Sequence, residues 1–133
     1  MAAPRKDELI YLASPYSAQS GHTSGRRYFH ALRVCSLLFD GGYHVYSPIV
    51  HNHELAVRYD MRTDYEFWSA YNRTMIKRCD VFAVLLIPGW AESTGVRCKL
   101  RIACDLGMTI YPIEYNQQRV QFKLQRSSQS SYC

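Results

Sequence analysis

The sequence predicts an α/β protein of three layers, built on a parallel sheet of four to five strands. Three observations carry that prediction. Short β-rich apolar runs alternate with longer stretches whose apolar residues recur at helical spacing. The connections between them are short, as crossover units require. One run, Asp80-Val81-Phe82-Ala83-Val84-Leu85-Leu86-Ile87, is apolar throughout, the mark of a strand covered on both faces.

Glu8 to Pro15 reads as the first strand, ended by Ser14-Pro15. Tyr16 to Gly25 is small and polar and reads as a loop. Ser24 then caps a helix whose inner side carries Phe29, Leu32, Val34, Leu37, Leu38 and Phe39, and Gly41-Gly42 closes it. Tyr43 to Pro48 is a second strand, again ended by Ser-Pro. Ile49 to Arg62 reads as a loop with a short helix around Glu54 to Arg58. Thr63 or Asp64 caps the next helix, which runs through Phe67, Tyr71, Met75 and Ile76 to Cys79. The central strand follows, then a turn from Gly89 to Gly95. Val96, Leu100, Ala103 and Leu106 next recur at helical spacing up to Gly107. Met108 to Ile113 is the fourth strand. Val120, Phe122 and Leu124 alternate like an edge strand, and the polar composition from Ser127 onward is that of a disordered tail. Residues 1–115 thus form one domain and 116–133 a polar tail, and the arrangement is flavodoxin- or Rossmann-like.

With 133 residues, 47% of them hydrophobic, the chain can bury a core of its own. No apolar run approaches the roughly 20 residues that span a bilayer, and Met1 to Glu8 is too polar for a signal sequence. The five cysteines include no CxxC pair, and Cys35, Cys79 and Cys104 fall where a small buried thiol fits. The expectation is a reduced, cytoplasmic protein that uses no cofactor and binds no membrane. The net charge of +5 favours an anionic partner. The basic residues are scattered rather than gathered in a stripe, which disfavours nucleic acid.

In a parallel sheet of this kind, ligands bind beyond the carboxyl ends of the strands. That edge collects the loop after Ser14-Pro15, the segment from Ser47-Pro48 to His53, and the turn before Val96. The turn ends at a helix start, whose free N–H groups suit phosphate or carboxylate. His51 and His53 fall on one side of an extended segment. They have no third ligand at a specified spacing, so no metal is assigned. Tyr16, Trp68, Tyr71 and Trp90 are candidates for stacking on a base or for core packing.

Several motifs occur together in order: Tyr11-Leu12-Ala13-Ser14-Pro15-Tyr16-Ser17, Ser47-Pro48-Ile49-Val50-His51-Asn52-His53, Phe67-Trp68-x-x-Tyr71, Cys79-Asp80, Gly89-Trp90 and Ser93-x-Gly95-Val96. As a set, spanning Leu9 to Ile113, they resemble the nucleoside 2-deoxyribosyltransferase-like superfamily, with a small bacterial and phage branch as the nearest likeness. The resemblance implies a flavodoxin-like sheet. It also implies cleavage or exchange of an N-glycosidic bond in nucleosides or their monophosphates, and a homo-oligomer, dimer or larger, whose sites a neighbour completes. By the same resemblance Ser93 and Gly95 hold a 5′-phosphate or 5′-hydroxyl, Tyr11 and Ser14 line the sugar pocket, and His51 and His53 recognise base or ribose. Arg26 or Arg27 is placed to reach a phosphate from the first helix.

The family's nucleophilic glutamate falls at Lys99, and its second acidic group falls at Asn72. An oxocarbenium-like transition state needs a carboxylate beside the anomeric carbon, and a lysine there has the wrong charge. Loss of such a nucleophile costs on the order of a thousandfold in rate. The reading that follows is a pseudoenzyme, a nucleotide-binding protein that senses or sequesters a nucleoside phosphate or ADP-ribose-type nucleotide without cutting it. Its ligand contacts would be Tyr11, Ser14, Tyr16, Arg26, His51, His53, Asn72, Trp90, Ser93, Gly95 and Lys99. The alternatives are an active N-glycosidase or deoxyribosyltransferase with a relocated acid such as Glu92, and an interaction subunit with a vestigial pocket.

Overall fold

In the computed structural model, which describes residues 3–17 and 21–123, the centre of the sheet is the pairing of β1 (Leu9–Ala13) with β3 (Val81–Leu85). β2 (His44–Tyr46) flanks β1, and β4 (Ile110–Tyr115) flanks β3, all four strands parallel. β5 (Val120–Phe122) pairs antiparallel with β4, so the sheet order is β2-β1-β3-β4-β5. The fold is α/β and flavodoxin- or Rossmann-like, with a mostly parallel sheet. The fifth strand reverses because only a short turn, too short for a crossover helix, separates Tyr115 from Val120. Leu124, the tail from Ser127 and Cys133 lie outside the described residues.

The pleat divides the core. Ile10 and Leu12 of β1 and Val81, Ala83 and Leu85 of β3 pack with Val34, Cys35 and Leu38 of α1 (Gly21–Asp40). Their alternates Tyr11, Ala13, Phe82 and Val84 pack with Ile76 of α3 (Tyr65–Arg78) and with Val96, Leu100 and Ala103 of α4 (Thr94–Asp105). These are the three layers.

Two helices differ from expectation. α1 starts at Gly21, so Ser24 lies in its first turn and the loop after β1 is shorter than Tyr16 to Gly25. Its inner stripe is Ala31, Val34, Cys35 and Leu38, while Phe29, Leu32 and Phe39 face outward, Phe29 at 65% exposure. The small residues Ala31 and Cys35 let the helix approach the sheet closely and so set its rotation; bulky apolar residues alone misplace the phase.

The second difference matters more. Ile49 to Arg62 is mostly helix: α2 spans Pro48–Tyr59. Ser47 caps it by accepting from the Val50 N–H at 3.1 Å, Pro48 takes the first helical position, and Asp60 ends it in the left-handed region at φ 52°. Ser47-Pro48 therefore starts a helix rather than opening a loop. Of the cysteines, Cys35 and Cys79 are buried thiols and Cys98 a half-buried one. Cys104 is disulfide-bonded, which departs from the thiol expected there. No helix among the described residues is long and apolar enough to cross a membrane.

Candidate functional site

β1 and β3 are where the strand order reverses, the point at which such sheets open a crevice. A cavity of about 470 Å³ lies there. Ser14 closes its floor from the end of β1, and Ser93, Thr94, Gly95 and Lys99 form one wall from the start of α4. Asn72, Trp68 and Tyr65 enter from α3. Pro48, Ile49, Asn52, His53 and Ala56 enter from α2, and Tyr16 and Ser17 come from the loop after β1.

The first residues of three helices, Pro48, Tyr65 and Thr94, all line this one space. Helices antiparallel to the strands bring their N-termini to the same sheet edge, so three positive dipole ends converge on it. Each is capped locally: Ser47 as above, Asp64 by accepting from Phe67 N–H, and Ser93 by accepting from Val96 N–H, the last two at 3.1 Å. Asp64 also takes two 2.8 Å hydrogen bonds from Arg62, which hold its carboxyl below the usual range. Of the two acids on the cavity wall, Asp64 is thus already paired, while Glu92 is exposed at the rim.

Lys99 is the principal charge within. It is only 9% exposed and makes no ion pair or hydrogen bond with any described residue. Burial pulls its amine down to about 8, opposed only by the neighbouring Cys98. On a helix the side chain of Lys99 leans back toward the N-terminal turn and shares a face with Gly95, four residues earlier.

Two further buried groups lack partners. Ser14 Oγ and Asn72 Oδ1, in residues 2% and 4% exposed, have no hydrogen bond with any described residue, and both residues line the cavity. Buried polar atoms are rarely left so, and a polar guest would satisfy them. At the opposite wall the Tyr16 hydroxyl lies 2.7 Å from His53 Nδ1, and the His53 ring stacks on Tyr28 at 3.9 Å between centroids.

Of the residues singled out in the sequence, Ser14, Tyr16, His53, Asn72, Glu92, Ser93, Gly95 and Lys99 therefore meet around one space. Four others stand elsewhere. Tyr11 is fully buried in the core, stacked on Phe82, with its hydroxyl unpartnered beneath the sheet edge rather than on the cavity wall. His51, in a helix rather than an extended segment, turns away from His53 toward Tyr46 and Tyr71, because residues two apart do not share a helical face. Trp90 packs on the core beside α4. Arg26 is exposed and off the cavity.

Its neighbour Arg27 donates to the Ser17 carbonyl at 2.8 Å and lies against Gly89, whose φ is +99°. A Cβ on Gly89 would come within 2.3 Å of Arg27 Nη2. This guanidinium therefore ties the loop after β1 to the turn after β3.

Asn52, Ala56, Thr63 and Tyr65 were not assigned from sequence, and all depend on where α2 and the start of α3 lie. The available signals were the Ser47-Pro48 cap and first turn for Asn52 and Ala56, and the Asp64 cap for Thr63 and Tyr65. Among the described residues no three His, Cys, Asp or Glu side chains cluster as a metal site would need.

No curated protein matches the chain. The sequence profile of a family described as a domain of unknown function, DUF1937, matches residues 8–115, and those residues contain every strand but β5 and the whole cavity wall. The chain belongs to the DUF1937 family.

Proposed function

We propose that this cavity binds a nucleoside phosphate or ADP-ribose-type nucleotide and leaves the glycosidic bond intact. The observation that carries the reading is Lys99, a buried cation without an acidic partner among the described residues, in a cavity at three helix N-termini. An unpaired buried charge is costly, and an anionic guest offsets that cost. The phosphate lies at the start of α4, where Ser93, the free N–H groups of the first turn and Lys99 converge. Asn72 Oδ1 and Ser14 Oγ take hydrogen bonds from hydroxyl or base N–H groups, and Trp68 and Tyr65 offer ring faces. Turnover is not expected, because the position against the sugar holds an amine and an amide where glycosidic cleavage needs two carboxyl groups.

Glu92, on the same wall and free of any ion pair among the described residues, supports one competing reading, an N-glycosidase. The test is to incubate the protein with nucleosides, nucleoside monophosphates and ADP-ribose, and to follow bound ligand and released base together. Ligand recovered intact after denaturation supports binding without cleavage. Free base released at enzyme-like rates, and lost in Glu92→Gln, overturns it in favour of the glycosidase. No ligand in any arm overturns both.

A further inference from the structure

A buried amine can do more than hold an anion. Desolvated lysines are the side chains that attack carbonyl carbons, because burial favours the unprotonated, nucleophilic form. Lys99 has the surroundings for this: it opens onto the cavity, no carboxylate among the described residues fixes its proton, and two unpartnered polar atoms, Asn72 Oδ1 and Ser14 Oγ, line the same space.

We infer that Lys99 condenses reversibly with the aldehyde of a phosphorylated aldose and holds the sugar as an imine. The amine nitrogen forms a bond to the aldehyde carbon while the carbonyl oxygen takes up a proton, giving a carbinolamine. The nitrogen then loses its remaining proton as the C–O bond breaks and C=N forms, and the oxygen leaves as water. One amine and one aldehyde give one imine and one water, with no oxidant or reductant.

The ligand class follows from the cavity. The amine requires a carbonyl, and Asn72 Oδ1, an acceptor only, requires a donor such as a sugar hydroxyl. The converging helix starts require an anion. The open-chain form of an aldose phosphate carries all three, and a cavity of about 470 Å³ holds a molecule of that size. With the amine near 8, on the order of a tenth of it is free at pH 7, against roughly three in ten thousand for an ordinary lysine. The inference goes beyond nucleotide binding, although it rests on the same cavity groups, Lys99, Asn72 and Ser14, and on the same anion end.

The experiment is reductive trapping. The folded protein is incubated with ribose 5-phosphate and cyanoborohydride at pH 7, and adducts are located by intact mass and peptide mapping. The expected product is one added sugar phosphate less one oxygen, on Lys99, formed roughly a hundredfold faster than on the exposed Lys6 or Lys77. Lys99→Arg, which keeps the charge without an aldehyde-reactive amine, loses that adduct. A Lys99 adduct no faster than those on Lys6 and Lys77 overturns the inference. Adenosine monophosphate, which has no free aldehyde, is titrated in parallel. Its binding without a Lys99 adduct overturns the imine and leaves nucleotide binding standing; an adduct without its binding does the reverse.

Discussion

The Tyr16 hydroxyl meets His53 Nδ1 at 2.7 Å, and this contact joins the loop after β1 to the first turns of α2. Burial raises the Tyr16 phenol above its ordinary range, so it stays protonated and able to donate. Tyr16→Phe should cost about 1 kcal/mol in urea unfolding and loosen this wall, lowering nucleotide affinity several-fold in a titration. An unchanged affinity would show that the wall stands without the bond.

Lys99 makes stability depend on pH in a stated direction. Its amine titrates near 10.5 unfolded and about 8 folded. Below pH 8 both states are charged and the full penalty of burial applies. Between 8 and 10.5 the unfolded state binds more protons, so the Lys99 contribution raises stability as pH rises, by about 3 kcal/mol across the window. The thiols of Cys35 and Cys79, held up to about 11 and about 12 by burial, act oppositely above pH 9. They do so in wild type and Lys99→Met alike, so the difference between the two isolates the lysine. Lys99→Met should be the more stable protein at pH 7, with the gap closing toward pH 10.5, and it should lose phosphate affinity. A gap independent of pH in chemical denaturation would mean that the amine is solvated when folded.

Gly89 and Arg27 form a coupled pair. Gly89→Ala forces a side chain into a φ of +99° and displaces the guanidinium from the Ser17 carbonyl. The backbone strain accounts for most of the expected loss, about 1–3 kcal/mol, since the tip of an arginine can swing aside cheaply. In a double-mutant cycle Gly89→Ala should therefore cost less in an Arg27→Ala background than in wild type. Additive losses would mean that the two residues act separately.

Much of this architecture was legible in the sequence, and the failures share a cause. Apolar runs such as Val81–Leu85 mark strands because a buried parallel strand must be apolar on both faces. Ser14, Ser93 and Gly95 fall at the sheet edge because strand ends and helix starts put them there, whereas Lys99 and Asn72 came from the family resemblance alone. His51, Trp90 and Tyr11 were misplaced because a residue's type cannot say whether its ring faces a cavity or the core. The phase of α1 turned on Ala31 and Cys35, small residues with a weak hydrophobic signal but a strong packing one. α2 reads too short from sequence, as Glu54 to Arg58, because Ser-Pro can close a strand and cap a helix in the same two residues, and here it does both.

The cavity wall draws on the loop after β1 and on α2, α3 and α4, so no single stretch of chain owns the binding site. Local opening at any of the four dismantles it, and occupancy is tied to cooperative unfolding of the whole domain. A guest held at a hundred times its dissociation constant would add about 2.7 kcal/mol to that transition. Melting behaviour thus becomes a readout of occupancy that needs no knowledge of the guest's chemistry.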